Sequence, residues 1–172
     1  RIFEVADKMQ PYAMRQRITR VLQGAILSNM FFEPSTRTRV SFGSAFNLLG
    51  GEVRETSEAK TSSLTKGESL YDTARVLSGY SDVIVMRHPE PGSVAKFAEA
   101  SRVPVINGGD GPNEHPSQAL LDLYTMRIEI AAQGQSVDGL SIALIGDLRF
   151  GRAVHSLCKL LCCLLYTSPS PR

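Results

Sequence analysis

Apolar residues in this chain fall into two patterns: short continuous runs, and longer stretches in which they recur every three or four positions. The runs are Ala25 to Phe32, Asp82 to Arg87, Val103 to Asn107 and Leu140 to Asp147, joined by a shorter strand at Glu52 to Thr56. Apolar runs of this length predict buried strands, and Leu140-Ser141-Ile142-Ala143-Leu144-Ile145-Gly146-Asp147 is the clearest of them. Between the runs, Phe42, Ala45, Phe46 and Leu49 recur at i, i+3, i+4 and i+7, the spacing of one buried helix face. Gly50-Gly51 ends that helix. Leu70, Ala74 and Leu77 predict a second helix, Ser93 to Ala100 a short third. Leu120, Leu121, Tyr124 and Ile128 predict a fourth, with Pro116 where a first turn tolerates proline. The opening segment, Phe3 to Gln16, is mixed in character and carries Pro11.

Strands alternating with helices, the strands nearly continuous in apolar character, predict an α/β domain. Its sheet should be doubly wound and mostly parallel, with helices on both faces. In such a sheet the residues that follow strand ends gather on one edge, and ligands bind there. Those residues are Ser35, Thr36, Arg37, Thr38 and Arg39, then Arg87, then His115 and Gln118, then Arg152. The polar stretch Ser57 to Glu68 is longer than most connections, a length often functional, with a flexible surface segment as the alternative.

Composition narrows the function classes. Hydrophobic content of 42% and charged content of 21% are those of a globular protein, and 172 residues suit one ordinary domain. Nineteen Lys and Arg against 17 Asp and Glu leave a formal charge of only +2, so there is no general attraction to nucleic acid or to a membrane surface. Anion binding must then come from local arrangement. Absence of a spanning run or a secretory leader makes a cytoplasmic location the expectation. Cys158, Cys162 and Cys163 crowd one apolar segment without a nearby histidine or acid, which reads as core cysteines; no metal site is expected.

The edge inventory holds cations, hydroxyls, one imidazole and one amide, but no carboxylate pair and no pair of metal-binding histidines. It suits a site that binds a phosphate and polarises a carbonyl. At the start of the helix after Pro34, unpaired N–H groups and the helix dipole favour an anion, and Arg37 and Arg39 add full charges. The alternative is that Ser35 or Thr36 caps the helix and the arginines are solvated. Asp110 and Asp147 are the acids expected nearby, as helix caps or arginine partners.

Phe32-Glu33-Pro34-Ser35-Thr36-Arg37-Thr38-Arg39 resembles the phosphate-binding signature of the aspartate and ornithine carbamoyltransferases. His115-Pro116-Ser117-Gln118-Ala119-Leu120-Leu121-Asp122 resembles their second signature. The likeness runs from about Ala6 to Cys158. Thr61-Ser62-Ser63-Leu64-Thr65-Lys66-Gly67-Glu68, Met86-Arg87-His88-Pro89, Asn107-Gly108-Gly109-Asp110-Gly111 and Ser117 resemble the aspartate branch.

The resemblance implies a carbamoyl phosphate-binding domain over 1–158, N-terminally incomplete, with a non-family tail over 159–172, unstructured or artefactual, and the aspartate-binding domain absent. It implies carbamoyl transfer from carbamoyl phosphate to the amino group of L-aspartate, an early step of pyrimidine biosynthesis, with no cofactor. Carbamoyl phosphate would be held by Ser35, Thr36, Arg37, Thr38, Arg87, His115 and Gln118. Ser62 and Lys66 would reach a neighbouring subunit's site, making a homotrimer with shared sites, and Arg152 would contact an aspartate carboxylate. Arg37, Thr38, Lys66, Arg87 and His115 would be the catalytic set. Regulatory subunits are left open by the resemblance. An ornithine-using relative and a non-catalytic phosphate-binding or assembly module are the competing readings.

Overall fold

The computed structural model describes residues 1–56 and 67–164. Helix α1 (Ile2–Ala13) precedes strand β1 (Ile26–Phe31). Then follow α2 (Thr36–Leu48), β2 (Glu52–Thr56), α3 (Leu70–Leu77), β3 (Val83–His88), α4 (Ser93–Ala100), β4 (Val105–Asp110), α5 (Pro116–Ala131) and α6 (Arg152–Leu164). The four strands form one parallel sheet in the order β2-β1-β3-β4. The α/β class, the parallel sheet and helices on both faces are as the sequence pattern predicts.

β1 is central and buried from Leu27 to Phe31, which is why it reads as a continuous apolar run. Its alternate residues serve opposite faces. Met30 packs with Ile84 and Met86 against Ala74 of α3 and Val94, Phe97 and Ala100 of α4. Leu27 and Phe31 pack with Val85 against Phe42 and Phe46 of α2. From β1 the chain moves outward to β2, then crosses back over β1 to β3 and on to β4. The order therefore reverses between β1 and β3. Their carboxyl ends open the crevice where a parallel α/β sheet takes its ligand.

A third cluster joins Ala119 and Leu123 of α5 to Leu157 and Leu161 of α6, with Phe3 of α1 beside them. α1 forms despite Pro11, which falls in its last turn. Its Asp7 accepts hydrogen bonds from Tyr124 Oη and Arg127 on α5, and Arg127 lies over the Phe3 ring.

Several expectations need correction. Leu140 to Asp147 forms no strand: it is irregular, and Ile145 is 93% exposed. A strand needs a neighbour for its N–H and C=O groups. No described strand pairs with this run; only Leu144, with Val137 in the preceding linker, packs on the α5–α6 cluster. β4 runs to Asp110, past the expected end at Asn107, because Gly108 and Gly109 continue it. A Cβ on Gly108 would lie 3.4 Å from the Phe31 ring, so the missing side chain lets the strand sit close to its neighbours.

The domain boundary expected at residue 158 falls inside α6, and the tail expected to be unstructured from 159 is helical to Leu164. Cys162 and Cys163 are exposed and Cys158 is half-buried, since α6 packs one face on α5 and leaves the other open. Among the described residues no helix is long and apolar enough to cross a membrane.

Candidate functional site

A cleft of about 1070 Å³ lies at the reversal point. It brings together Ser35, Thr36, Arg37, Thr38, Arg87, His115, Gln118 and Arg152. These expected residues, drawn from four separate stretches of sequence, line one space. Ser62 and Lys66 lie outside the described residues.

α2 begins at Thr36 with Ser35 in the N-cap position, yet no side chain caps it. The capping alternative is therefore not what the structure adopts. Instead Ser35 Oγ accepts a hydrogen bond from Arg87 Nη1 at 3.1 Å. First-turn N–H groups left without a side-chain acceptor, at the positive end of a helix, are donors for an anion. Arg37 is exposed beside them and has no acidic partner within 4.0 Å among the described residues.

Arg87 leaves the end of β3 and is held by an acid the sequence reading overlooked. Glu33 Oε1 accepts from Arg87 Nε at 2.5 Å and from Arg152 Nη2 at 2.5 Å. Burial alone would raise the Glu33 pKa, but hydrogen bonds from Arg152 and Arg87 outweigh it and hold the carboxyl below its ordinary value. Arg152 also donates to the Gly111 carbonyl at 2.7 Å. One carboxylate thus fixes two guanidinium groups from β3 and α6. Glu33 stands inside the first signature, between Phe32 and Pro34, where no role was expected of it.

The acids that were expected here do other work. Asp110, buried at the end of β4, accepts from Gly92 N at the start of α4 and from Asn113. Asp147 accepts from the Arg149 and Phe150 N–H groups. Asp110 thus ties the start of α4 to the end of β4, Asp147 caps its own turn, and neither pairs with an arginine side chain among the described residues. A Cβ on Gly109, whose φ is +133°, would stand 3.2 Å from the Arg87 side chain, so glycine keeps that arginine's path clear.

His115 occupies the N-cap position of α5 and is buried. Burial first, then the charges of Arg87 and Arg152, push its pKa down to about 4. Its imidazole is neutral near pH 7. Its backbone N–H donates to Ser156 Oγ of α6 at 2.8 Å, and its Nδ1 lies 3.3 Å from Ser117 Oγ. Ser156 is a further supporting residue that no motif marked. Gln118, one turn on, donates from Nε2 to Asp122 at 2.8 Å, which leaves its amide oxygen for other partners.

A family model described as the carbamoyl-P binding domain of aspartate/ornithine carbamoyltransferase matches residues 1–128. The aspartate carbamoyltransferase catalytic subunit of Cellvibrio japonicus is 77% identical over 94% of this chain and 48% of its own length, and that of Saccharophagus degradans 76% over the same shares. A crystal structure of aspartate transcarbamoylase from Trypanosoma cruzi, in complex with carbamoyl phosphate and aspartate, superposes with a TM-score of 0.84 at 46% identity. It covers 92% of this chain and 51% of that one. The chain spans about half the length of the curated relatives it matches.

Proposed function

The chain belongs to the aspartate/ornithine carbamoyltransferase family, and from that premise we propose that its cleft binds carbamoyl phosphate as one half of an aspartate carbamoyltransferase active site. The observation that carries the reading is the convergence, in one cleft, of an uncapped helix start bearing Arg37 with Arg87 and a neutral His115. A phosphate fits the first and a carbonyl oxygen the second.

In this reading Arg37, the first-turn N–H groups of α2 and the Ser35 and Thr36 hydroxyls take the phosphate. Thr38, Arg87 and His115 face the carbonyl oxygen, and Gln118 holds the carbamoyl NH2 through its amide oxygen. In the His115 tautomer that accepts from the Ser117 hydroxyl at Nδ1, the proton sits on Nε2, where it can be given as a hydrogen bond. The aspartate amino nitrogen attacks the carbonyl carbon. Charge then develops on the carbonyl oxygen, beside an Arg87 already fixed by Glu33, and the C–O bond to phosphate breaks as the amine's proton passes to the departing phosphate. Catalysis comes from positioning and preorganised charge, with no cofactor required.

Ser62 and Lys66 would enter a neighbouring copy's site in a homotrimer, and Arg152 would meet an aspartate carboxylate. These assignments and the place in pyrimidine biosynthesis rest on the family likeness; association with regulatory subunits stays open. The test is an assay of this chain extended by the second half of its Cellvibrio japonicus relative, offered aspartate and ornithine separately. Carbamoylated aspartate is expected. Product from ornithine alone would overturn the choice of acceptor, and ligand binding without product from either would favour a non-catalytic module.

A further inference from the structure

Asn29 is an anomaly in the sheet. It sits mid-strand in β1 with no exposed surface, flanked in register by Glu55 on β2 and Val85 on β3. Its Nδ2 donates to the main-chain carbonyl of Arg39 at 2.9 Å and lies 3.5 Å from Glu55 Oε1. Glu55 in turn stands 3.7 Å from Arg39 Nε. Neither Asn29 Oδ1 nor Arg39 Nε finds a hydrogen-bond partner among the described residues. A buried polar atom left unpaired destabilises the fold, so an apolar residue here would serve packing alone better.

The network joins β1 and β2 to the first turns of α2, at the one place where that helix meets the sheet without a side chain between. Gly43, the buried residue of α2, lies over Asn29: a Cβ there would be 3.7 Å from Asn29 Nδ2 and from Glu55 Oε1. Arg39, Gly43 and Phe46 thus form the sheet-facing stripe of α2 at i, i+4 and i+7. Thr38, Ser41, Phe42 and Ala45 line the cleft from the same helix, with Arg37 at its start. Sliding α2 over the sheet would carry Arg37 and Thr38 with it and pull Ser35 from its bond with Arg87 at the end of β3.

We infer that Asn29 is a positioning residue for the anion-binding turn. Its bond to the Arg39 carbonyl, braced by Glu55, sets the height and register of α2 over β1, and so the distance from Arg37 and Thr38 to Arg87 and His115. Displacements near 1 Å in a site of this kind cost about a hundredfold in rate, which makes one polar contact worth its unpaired atom. The inference rests on the reading of the cleft as a carbamoyl phosphate site and deepens it.

The test titrates the 172-residue chain and its Asn29→Asp variant with carbamoyl phosphate and with inorganic phosphate by calorimetry, each paired with a thermal unfolding curve. Asn29→Asp keeps the shape and puts, in place of the amide donor, a carboxylate that cannot donate to the Arg39 carbonyl while ionised. It should weaken binding of both ligands about tenfold in protein that is still folded. A residue of structural importance only would lower Tm and leave Kd unchanged, and that result overturns the inference. Where Asn29→Asp does not fold, Glu55→Gln decides: on the exposed side of the network, it should weaken binding about threefold, and an unchanged Kd overturns the inference. If the unsubstituted chain binds neither ligand, the reading of the cleft fails first and the positioning role falls with it. If it binds and both variants bind equally well, the positioning role alone fails.

Discussion

At the scale of single residues, the site is a set of charges, two of which, Arg87 and Arg152, are held by one acid, Glu33. Arg37, Arg87, His115 and Gln118 were legible because each follows a predicted strand end, and a parallel sheet puts all strand ends on one edge. Glu33 was not, although it lies in the same motif. Periodicity marks a residue by the face it occupies, and Glu33 matters instead for a partner 119 positions away on α6. His115 gives this scale its prediction. Its folded pKa near 4 lies below the ordinary 6.5, so the unfolded chain takes up a proton first as pH falls. The stability it contributes is fully present above about pH 6.5 and is lost progressively as pH falls toward 4. Thermal unfolding of the chain and of His115→Gln across that window should show the original losing stability relative to the variant. A difference between the two that does not change with pH would contradict the assigned environment.

At the scale of elements, apolar runs foretold β1 and β3 closely and misread the last run. β1 and β3 lie between other strands, so apolar side chains on both faces reflect real burial on both. Leu140 to Asp147 has the same composition without a neighbouring strand among the described residues, and hydropathy cannot count neighbours. The reverse error befell β4, where two glycines looked like a turn and in fact continue the strand against Phe31. α1 was invisible for a different reason: its proline and mixed character hide a helix held from outside by α5. Amide hydrogen exchange tests this ordering. β1 and β3 should be the slowest to exchange and residues 140–146 among the fastest. Protection of 140–146 equal to that of β3 would mean that this run has found a strand partner, in this chain or in a second copy.

At the scale of the whole molecule, the arrangement explains how four stretches far apart in sequence become one cleft. The reversal of strand order between β1 and β3 opens the crevice, and α5 and α6 close its far side with His115 and Arg152. This was legible as a fold class, since alternation of strand and helix specifies the edge without specifying the contacts. What lay beyond reach is the height of α2 above the sheet, which depends on a single glycine and a buried asparagine whose partners are set by packing. The apolar groups exposed along the unpaired segment, Ile145, Leu148 and Phe150, sit in a chain that spans about half the length of its curated relatives.

The central claim is that the start of α2 and the ends of β3 and β4 together form a carbamoyl phosphate site. Calorimetric titration of the folded chain with carbamoyl phosphate, beside its Arg37→Ala variant, tests it most directly. Saturable binding is expected, weakened about tenfold or more by loss of the guanidinium, in keeping with a charge-assisted pair worth about 1.5–3 kcal/mol. No binding by a folded sample, or binding that Arg37→Ala leaves unchanged, would contradict it.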